Sequence, residues 1–274
     1  MEWWQAFILG IVQGLTEFLP VSSSGHLMIF SQILGVEDVE GMLDFTVTVH
    51  FATVIATIVV FWSAIWSLLK GLFKFKYNDE TDYICKILVS AIPVAVVGVF
   101  FKDSVEALFG QSLTFVAIGL IVTACLLTLS DNIGKRIRIP AAEKQYRNGI
   151  SYWQAFVVGV AQAFAVCPGI SRSGSTIATG LISGVERSAM AQFSFLMVLI
   201  PIIGEQGLDL LKVAVGSESF GAGVGAWPLI LGFIAAFASG LFACKVMIAI
   251  VRKAKLTWFA LYCLLVAVAL FIIA

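Results

Sequence analysis

Two apolar stretches of this chain lie 149 residues apart, are copies of each other, and both break in the middle. Trp4-Gln5-Ala6-Phe7 matches Trp153-Gln154-Ala155-Phe156, Gly10 matches Gly159, and Gln13 matches Gln162. Ser22, Ser24 and Gly25 match Ser171, Ser173 and Gly174; Ile33, Gly35, Val36 and Glu37 match Ile182, Gly184, Val185 and Glu186. That is 13 identities over 34 positions without a gap. Residues 3–18 run into Leu19-Pro20-Val21-Ser22-Ser23-Ser24-Gly25 and resume over 26–35; residues 152–165 run into Cys167-Pro168-Gly169-Ile170-Ser171-Arg172-Ser173-Gly174 and resume to about 184. Each arm is shorter than the ~20 residues that a membrane-spanning helix needs. Pro, Gly and Ser between the arms predict helix–turn–helix hairpins that enter a bilayer and return, with broken backbone buried in protein.

The bilayer follows from composition. Of 274 residues, 60% are hydrophobic and 12% charged, against roughly 25% charged in soluble domains. Mean hydropathy is +1.00. Lys plus Arg and Asp plus Glu are 17 each, so no basic excess points to nucleic acid. The five cysteines sit in apolar stretches without metal-ligand spacing and read as packing residues. Met1-Glu2-Trp3-Trp4 lacks the positive start of a cleavable signal, so the first segment is expected to stay.

Stretches poor in charge predict six spans, at 51–69, 84–101, 107–130, 188–211, 219–244 and 256–274. Each half is then one re-entrant hairpin plus three spans. Three is odd, so the halves take opposite orientations. The expectation is an all-α polytopic membrane protein built as an inverted repeat, a single domain over 1–274. Repeat one covers 1–130, repeat two 151–274, and a cytoplasmic linker 131–150. Loops on one side carry eleven basic residues: Lys70, Lys74, Lys76, Lys135, Arg136, Arg138, Lys144, Arg147, Arg252, Lys253 and Lys255. The other side has Lys102 and Lys212. The positive-inside rule puts the rich side in the cytoplasm, so the first hairpin enters from outside and the second from inside.

Ionisable groups at membrane depth are expensive and point to function. The first hairpin carries Glu17 and His26, the second Arg172; around them lie Gln13, Thr16, Ser22, Ser23, Ser24, Ser171, Ser173, Ser175 and Thr176. If the tips meet, the set suits phosphate chemistry. Arg172 offers a planar fork to phosphate oxygens, and the turn opening a helix at 173–176 presents N–H groups to an anion. Glu17 can ligate a hard cation or hold a proton, with Gln13 one turn earlier on the same face. His26 can act as acid, base or nucleophile. The bland readings are a structural Glu17–Arg172 ion pair and serines that let helices approach closely. His50 stands apart and reads as inert.

Gln13-Gly-Leu-Thr-Glu17-Phe-Leu-Pro-Val-Ser-Ser-Ser-Gly-His26 and Pro168-Gly-Ile-Ser-Arg172-Ser-Gly-Ser-Thr176 resemble the two signature motifs of the undecaprenyl-diphosphate phosphatase family of bacitracin-resistance type. The resemblance implies an integral enzyme of the bacterial plasma (inner) membrane that hydrolyses undecaprenyl diphosphate to undecaprenyl phosphate at the outer face. That reaction recycles the lipid carrier of cell-wall synthesis. The resemblance also implies a divalent cation, Mg or Ca. Position by position it carries over Gln13 and Glu17 as metal ligands, and Glu17, Ser23, His26 and Arg172 as catalytic residues. Ser22, Ser171, Arg172, Ser173, Gly174 and Thr176 are the expected substrate contacts. Gln13 is the uncharged option in its motif and a weaker ligand than a carboxylate. The expected partners are the polyprenyl diphosphate and membrane lipids, with no nucleic acid; a homodimer is left open.

Ser24-Gly25-His26 and Ser171-Arg172 also imitate the phosphatidic-acid phosphatase superfamily. The second His which that superfamily needs six residues after the Arg is replaced by Ala178, and its Lys-x6-Arg-Pro motif is absent. The competing class is a transporter, such as a polyprenyl-phosphate flippase, because inverted repeats with re-entrant hairpins are typical of secondary transporters. Three routes stay open for the nucleophile: Ser23 activated by His26, His26 itself, or a water oriented with Glu17.

Overall fold

The computed structural model describes residues 1–36, 39–101, 104–105, 112–134, 147–204, 207 and 224–273, and among these every regular element is helical. In chain order they are α1 (Trp3–Phe18), α2 (Ser23–Ile33), α3 (Val39–Val60), α4 (Trp62–Leu72), α5 (Asp79–Phe100), α6 (Leu113–Gly134), α7 (Tyr152–Phe164), α8 (Arg172–Ile182), α9 (Arg187–Met197), α10 (Ala226–Lys253) and α11 (Thr257–Ile273).

Both duplicated stretches form helical hairpins, α1–α2 and α7–α8, with the same local chemistry. Glu2 and Gln5 cap α1 reciprocally, as Ser151 and Gln154 cap α7. The same glutamines tie each hairpin shut: Gln5 Nε2 donates to the Leu34 carbonyl at 2.9 Å, and Gln154 Nε2 to the Ser183 carbonyl at 2.8 Å. The returning arms end on Gly35 (φ +67°) and Gly184 (φ +87°), where the left-handed turn favours glycine. Ser22 and Ser171 cap the returning arms by accepting from the Gly25 and Gly174 N–H groups.

Each hairpin packs on a helix from the other half of the sequence: α1 along α10, and α7 along α5. Glycines make the approach close. A Cβ on Gly10 would lie 2.4 Å from the Gly232 carbonyl oxygen, and one on Gly159 would lie 2.2 Å from that of Ser90. Small residues at such crossings are what packing between helices in lipid requires. Helices α6 and α11 pack together, and α8 lies along α6.

Four helical runs are long and apolar enough to cross a membrane: Asp79–Phe100, Leu113–Ile133, Arg187–Gly204 and Ala226–Val251. A bent pair, Asp44–Val60 with Trp62–Leu72, makes a fifth. The sixth expected span is represented by α11, an apolar helix of 17 residues, short of full span length. Large side chains such as Trp153, Phe164, Trp227, Phe242 and Ile272 are exposed on the outside, as suits a multi-pass membrane protein facing lipid.

The span expected at 51–69 differs in detail. Helix α3 begins at Val39, is already 22 residues long at Val60, and the chain then turns by 74° into α4. A search for charge-free sequence starts too late here, because Asp44 and His50 are carried within the helix. On α4 the Trp62 and Trp66 rings stack at 6.0 Å, and Lys70 Nζ sits 5.5 Å from the Trp66 ring centre. Such a Trp/Lys surface suits the boundary between lipid and water. Parts of the expected 107–130, 188–211 and 219–244 spans, and most of the expected 131–150 linker, lie outside the described residues; the remainders of the spans lie in α6, the run Arg187–Gly204 and α10.

Candidate active site

The broken helices meet at their tips. Ser173 Oγ donates to the Leu19 carbonyl across the two turns at 3.1 Å. A Cβ on Gly174 would come within 3.2 Å of Pro20, and one on Gly25 within 3.4 Å of Gly169. The second turn is seated on α6: Thr123 Oγ1 accepts from the Ser171 N–H at 2.9 Å, and Gly169 (φ +88°) lies where a side chain would strike the Val116 carbonyl. The first turn rests on α11, where Cys263 Sγ approaches the Pro20 carbonyl at 3.7 Å.

At this meeting point Glu17, from the last turn of α1, pairs with Arg172, the first residue of α8. Glu17 Oε1 receives the Arg172 Nη2 donor. Glu17 Oε2 accepts from Ser23 Oγ at 2.6 Å and from Gln13 Nε2 at 2.9 Å. Gln13 and Glu17 are buried, Ser23 and Arg172 half-buried. Two buried polar atoms here have no hydrogen-bond partner: Gln13 Oε1, an acceptor, and Arg172 Nη1, a donor. Leaving such groups unpaired costs about 1–3 kcal/mol each or more, so both are suited to accept a partner from outside the protein. An anion suits Arg172 Nη1, and a hard cation suits Gln13 Oε1 beside the Glu17 carboxylate. Among the described residues no three His, Cys, Asp or Glu side chains cluster, so a cation here depends on the amide oxygen.

A shallow cleft lies beside the ion pair. Glu17 and Arg172 form its polar end. Thr53 and Thr57 of α3 continue it, and Phe18, Val54, Phe195, Val198, Leu199 and Ile202 supply apolar walls. Such a cleft suits a ligand with a charged head and a hydrocarbon tail.

The other expected site residues are placed differently. His26 is buried on α2 with both ring nitrogens occupied: Nδ1 donates to the Ser22 carbonyl at 2.8 Å, and Nε2 accepts from Tyr262 Oη of α11 at 2.8 Å. The hydrogen bond of Ser23 goes to Glu17, and His26 is held by Ser22 and Tyr262, so no Ser23–His26 dyad forms in this geometry. Ser22, Ser171 and the Gly174 N–H serve as caps of the returning arms. Ser173 crosslinks the turns, and Thr176 Oγ1 lies 2.7 Å from Ser194 Oγ of α9. Of the expected substrate contacts, only Arg172 keeps an unused donor.

Two neighbours of the site residues were not expected: His50, which reads as inert and apart in the sequence, and Tyr262. His50 of α3 brings Nε2 to 3.8 Å from Glu17 Oε2. A signal existed: Thr46, His50, Thr53 and Thr57 recur at helical spacing, a polar stripe on an apolar helix. Tyr262, the partner of His26, stands alone in an apolar run and gave no signal.

Opposite charges and hydroxyls gathered where two broken helices meet inside an apolar bundle define an integral membrane protein with a buried polar site. The chain belongs to the bacitracin resistance protein BacA family, whose model matches residues 6–269. It is 51% identical over 274 residues to a protein of Bacteroides fragilis named undecaprenyl-diphosphatase, covering 100% of this chain and 99% of the relative. Relatives of the same name from Parabacteroides distasonis (52% over 263 residues, 96% and 95% covered) and Halothermothrix orenii (41% over 278 residues, 100% and 99% covered) are also similar.

Proposed function

We propose that this protein hydrolyses undecaprenyl diphosphate to undecaprenyl phosphate and inorganic phosphate. It is a membrane hydrolase, an undecaprenyl-diphosphate phosphatase, as its full-length relatives are named. The observation that carries the reading into this chain is the Glu17–Arg172 pair, which joins both hairpins at the polar end of an apolar-walled cleft. A diphosphate at Arg172 has its isoprenoid continue along Phe18, Val54, Phe195 and Leu199. No observation favours a flippase over hydrolysis.

In the mechanism, Arg172 binds a phosphate oxygen through Nη1 while Glu17 holds Nη2 and so fixes the plane of the fork. Ser23 already donates to Glu17, so Glu17 takes its proton as Oγ attacks the terminal phosphorus. The bond from that phosphorus to the bridging oxygen breaks, and undecaprenyl phosphate leaves. Water then attacks the phosphoserine as Glu17 returns the proton to Ser23 Oγ; the water's own proton leaves on the phosphate, and His26, whose nitrogens are held by Ser22 and Tyr262, fixes the first turn against α11. Inorganic phosphate departs. Gln13 and Glu17 would hold a divalent cation, Mg or Ca, whose positive charge would offset that of the phosphate oxygens. The remaining expected contacts, Ser22, Ser171, Ser173, Gly174 and Thr176, act by fixing the two turns.

The architecture belongs to the same reading. An inverted repeat, each half a re-entrant hairpin plus three spans, is supported by the reciprocal packing of α1 on α10 and α7 on α5. We take the molecule as one membrane domain with repeats 1–130 and 151–274 joined by a cytoplasmic linker 131–150. It sits in the plasma (inner) membrane with the site open to the outside, a reading supported by the eleven-to-two excess of basic residues in the loops assigned to the cytoplasm.

Purified protein should release phosphate from undecaprenyl diphosphate and not from undecaprenyl phosphate. Chelator should abolish release, and Mg or Ca should restore it. Cysteines introduced at Gly221 and Lys144 should label from opposite sides, Gly221 from outside; labelling of both from one side would end the topology.

A further inference from the structure

We propose that His50 is a nitrogen ligand of the divalent cation held by Gln13 and Glu17. The inference rests on the cation reading above and extends it to a residue outside both signature motifs. His50 lies on α3, a helix separate from the hairpins, and is half-buried with its ring against the site. Its Nδ1 sits 2.9 Å from the Thr46 carbonyl, an oxygen that can only accept. The Nδ1 hydrogen is therefore committed, and in the neutral ring Nε2 carries a lone pair. Nε2 faces Glu17 Oε2 at 3.8 Å, beyond hydrogen-bond length.

With the imidazole unprotonated, two electron-rich atoms face each other at the edge of the site, and a cation between them would offset their repulsion. Donors held at roughly 2.0–2.2 Å from one ion lie no more than about 4.4 Å apart, so 3.8 Å suits a shared cation. The buried Gln13 Oε1, on a side chain whose amide nitrogen already donates to the same Glu17 oxygen, has no partner. Gln13 Oε1, Glu17 Oε2 and His50 Nε2, from two helices, are the donors that the proposal assigns to one cation. The Thr46 carbonyl fixes the tautomer and orientation of the ring, as the outer partners of metal-bound histidines commonly do. The set replaces a second carboxylate, which position 13 lacks, by an imidazole. Nitrogen shifts such a site toward transition metals relative to Ca.

The test uses detergent-solubilised full-length protein and Mn²⁺ alone. The chain has only two histidines, His26 and His50. Pulsed EPR on Mn²⁺-loaded protein should show a nitrogen coupling that changes isotope pattern when histidine is ¹⁵N-labelled. The coupling should persist in His26→Gln and vanish in His50→Gln. Mn²⁺ affinity should fall roughly tenfold or more in His50→Gln, since even outer-shell partners of metal ligands are worth 10- to 100-fold. The Mn²⁺ preference over Ca²⁺ should narrow as well. The labelling measurement on the unaltered protein needs no variant to fold. Saturable Mn²⁺ binding that depends on Glu17 but shows no histidine coupling would overturn the role of His50 and leave the cation reading standing. An imidazolium paired only with Glu17 gives that result. Absence of any saturable Mn²⁺ binding would remove both, and phosphate release in excess chelator would show it independently.

Discussion

The two hairpins share a scaffold and divide the chemistry. Both are shut by a glutamine reaching the far arm, Gln5 to Leu34 and Gln154 to Ser183. Both cap the returning arm with a serine, and both press a glycine into a helix from the other half. At the positions that carry charge they part. Glu17 corresponds to Val166, Ser23 to Arg172, and His26 to Ser175. The matching glutamines show the consequence. Gln13 and Gln162 are both buried with an unpartnered Oε1, yet only Gln13 has a carboxylate one turn on. The turns differ too: the left-handed backbone falls on Ser22 (φ +71°) in the first and on Gly169 (φ +88°) in the second. Duplication thus repeated the frame that brings two helix ends together at depth, and the site arose from the asymmetry between them. An unpaired amide oxygen by itself does not make a cation site; its neighbours do.

The sharpest way to break this division is Ser23→Ala, which removes the proposed nucleophile from the first hairpin while leaving Glu17 and Arg172 paired. Turnover should fall to background, and Ser23→Cys should keep a trace. Rapid quench with labelled substrate should trap an acid-stable phosphoserine in the unaltered protein. Turnover within tenfold of normal in Ser23→Ala would instead assign the attack to a water oriented by Glu17. The charge of the second hairpin comes next. Arg172→Ala loses a contact to developing charge in a dry site, worth about 3–4 kcal/mol or 100- to 1000-fold in kcat. Arg172→Lys keeps the charge but not the fork and should remain severely impaired. A folded Arg172→Ala enzyme with ordinary kcat would reduce the pair to a structural tie.

Smaller effects probe the frame and its exceptions. Tyr262→Phe removes one hydrogen bond to His26. That bond is worth about 1–1.5 kcal/mol, so kcat should drop roughly five- to tenfold while KM holds. Gly10→Ala and Gly159→Ala insert a methyl against a carbonyl in equivalent places. Each should lower stability by about 1–3 kcal/mol in thermal or denaturant unfolding in detergent, and by similar amounts, if the scaffold is shared. A large effect in only one hairpin would mean that the packing is not equivalent. Finally, Gln162→Leu should leave Mn²⁺ affinity unchanged, whereas Gln13→Leu should weaken it, as calorimetric titration of the two variants would read.

Much of this was legible in the residues. Hydropathy and charge spacing defined a helical membrane protein, because a bilayer admits few other ways to satisfy a backbone. The duplicated Trp-Gln-Ala-Phe and Ser-x-Ser-Gly segments located both hairpins to within two or three residues, since caps and turns are made by near neighbours in sequence. Glu17 and Arg172 stood out because charge at depth is costly. Three things were decided by tertiary structure alone. Ser23 bonds to Glu17 because the turn at Ser22 aims it there, while His26 faces α11 and finds Tyr262. Helix α3 carries Asp44 and His50 within it and bends at Phe61, where a reading of charge-free runs placed a straight span. And His50 reaches Glu17 across 33 residues of chain. Local periodicity reports which face of a helix is polar; which partner that face meets is set by packing between segments distant in sequence.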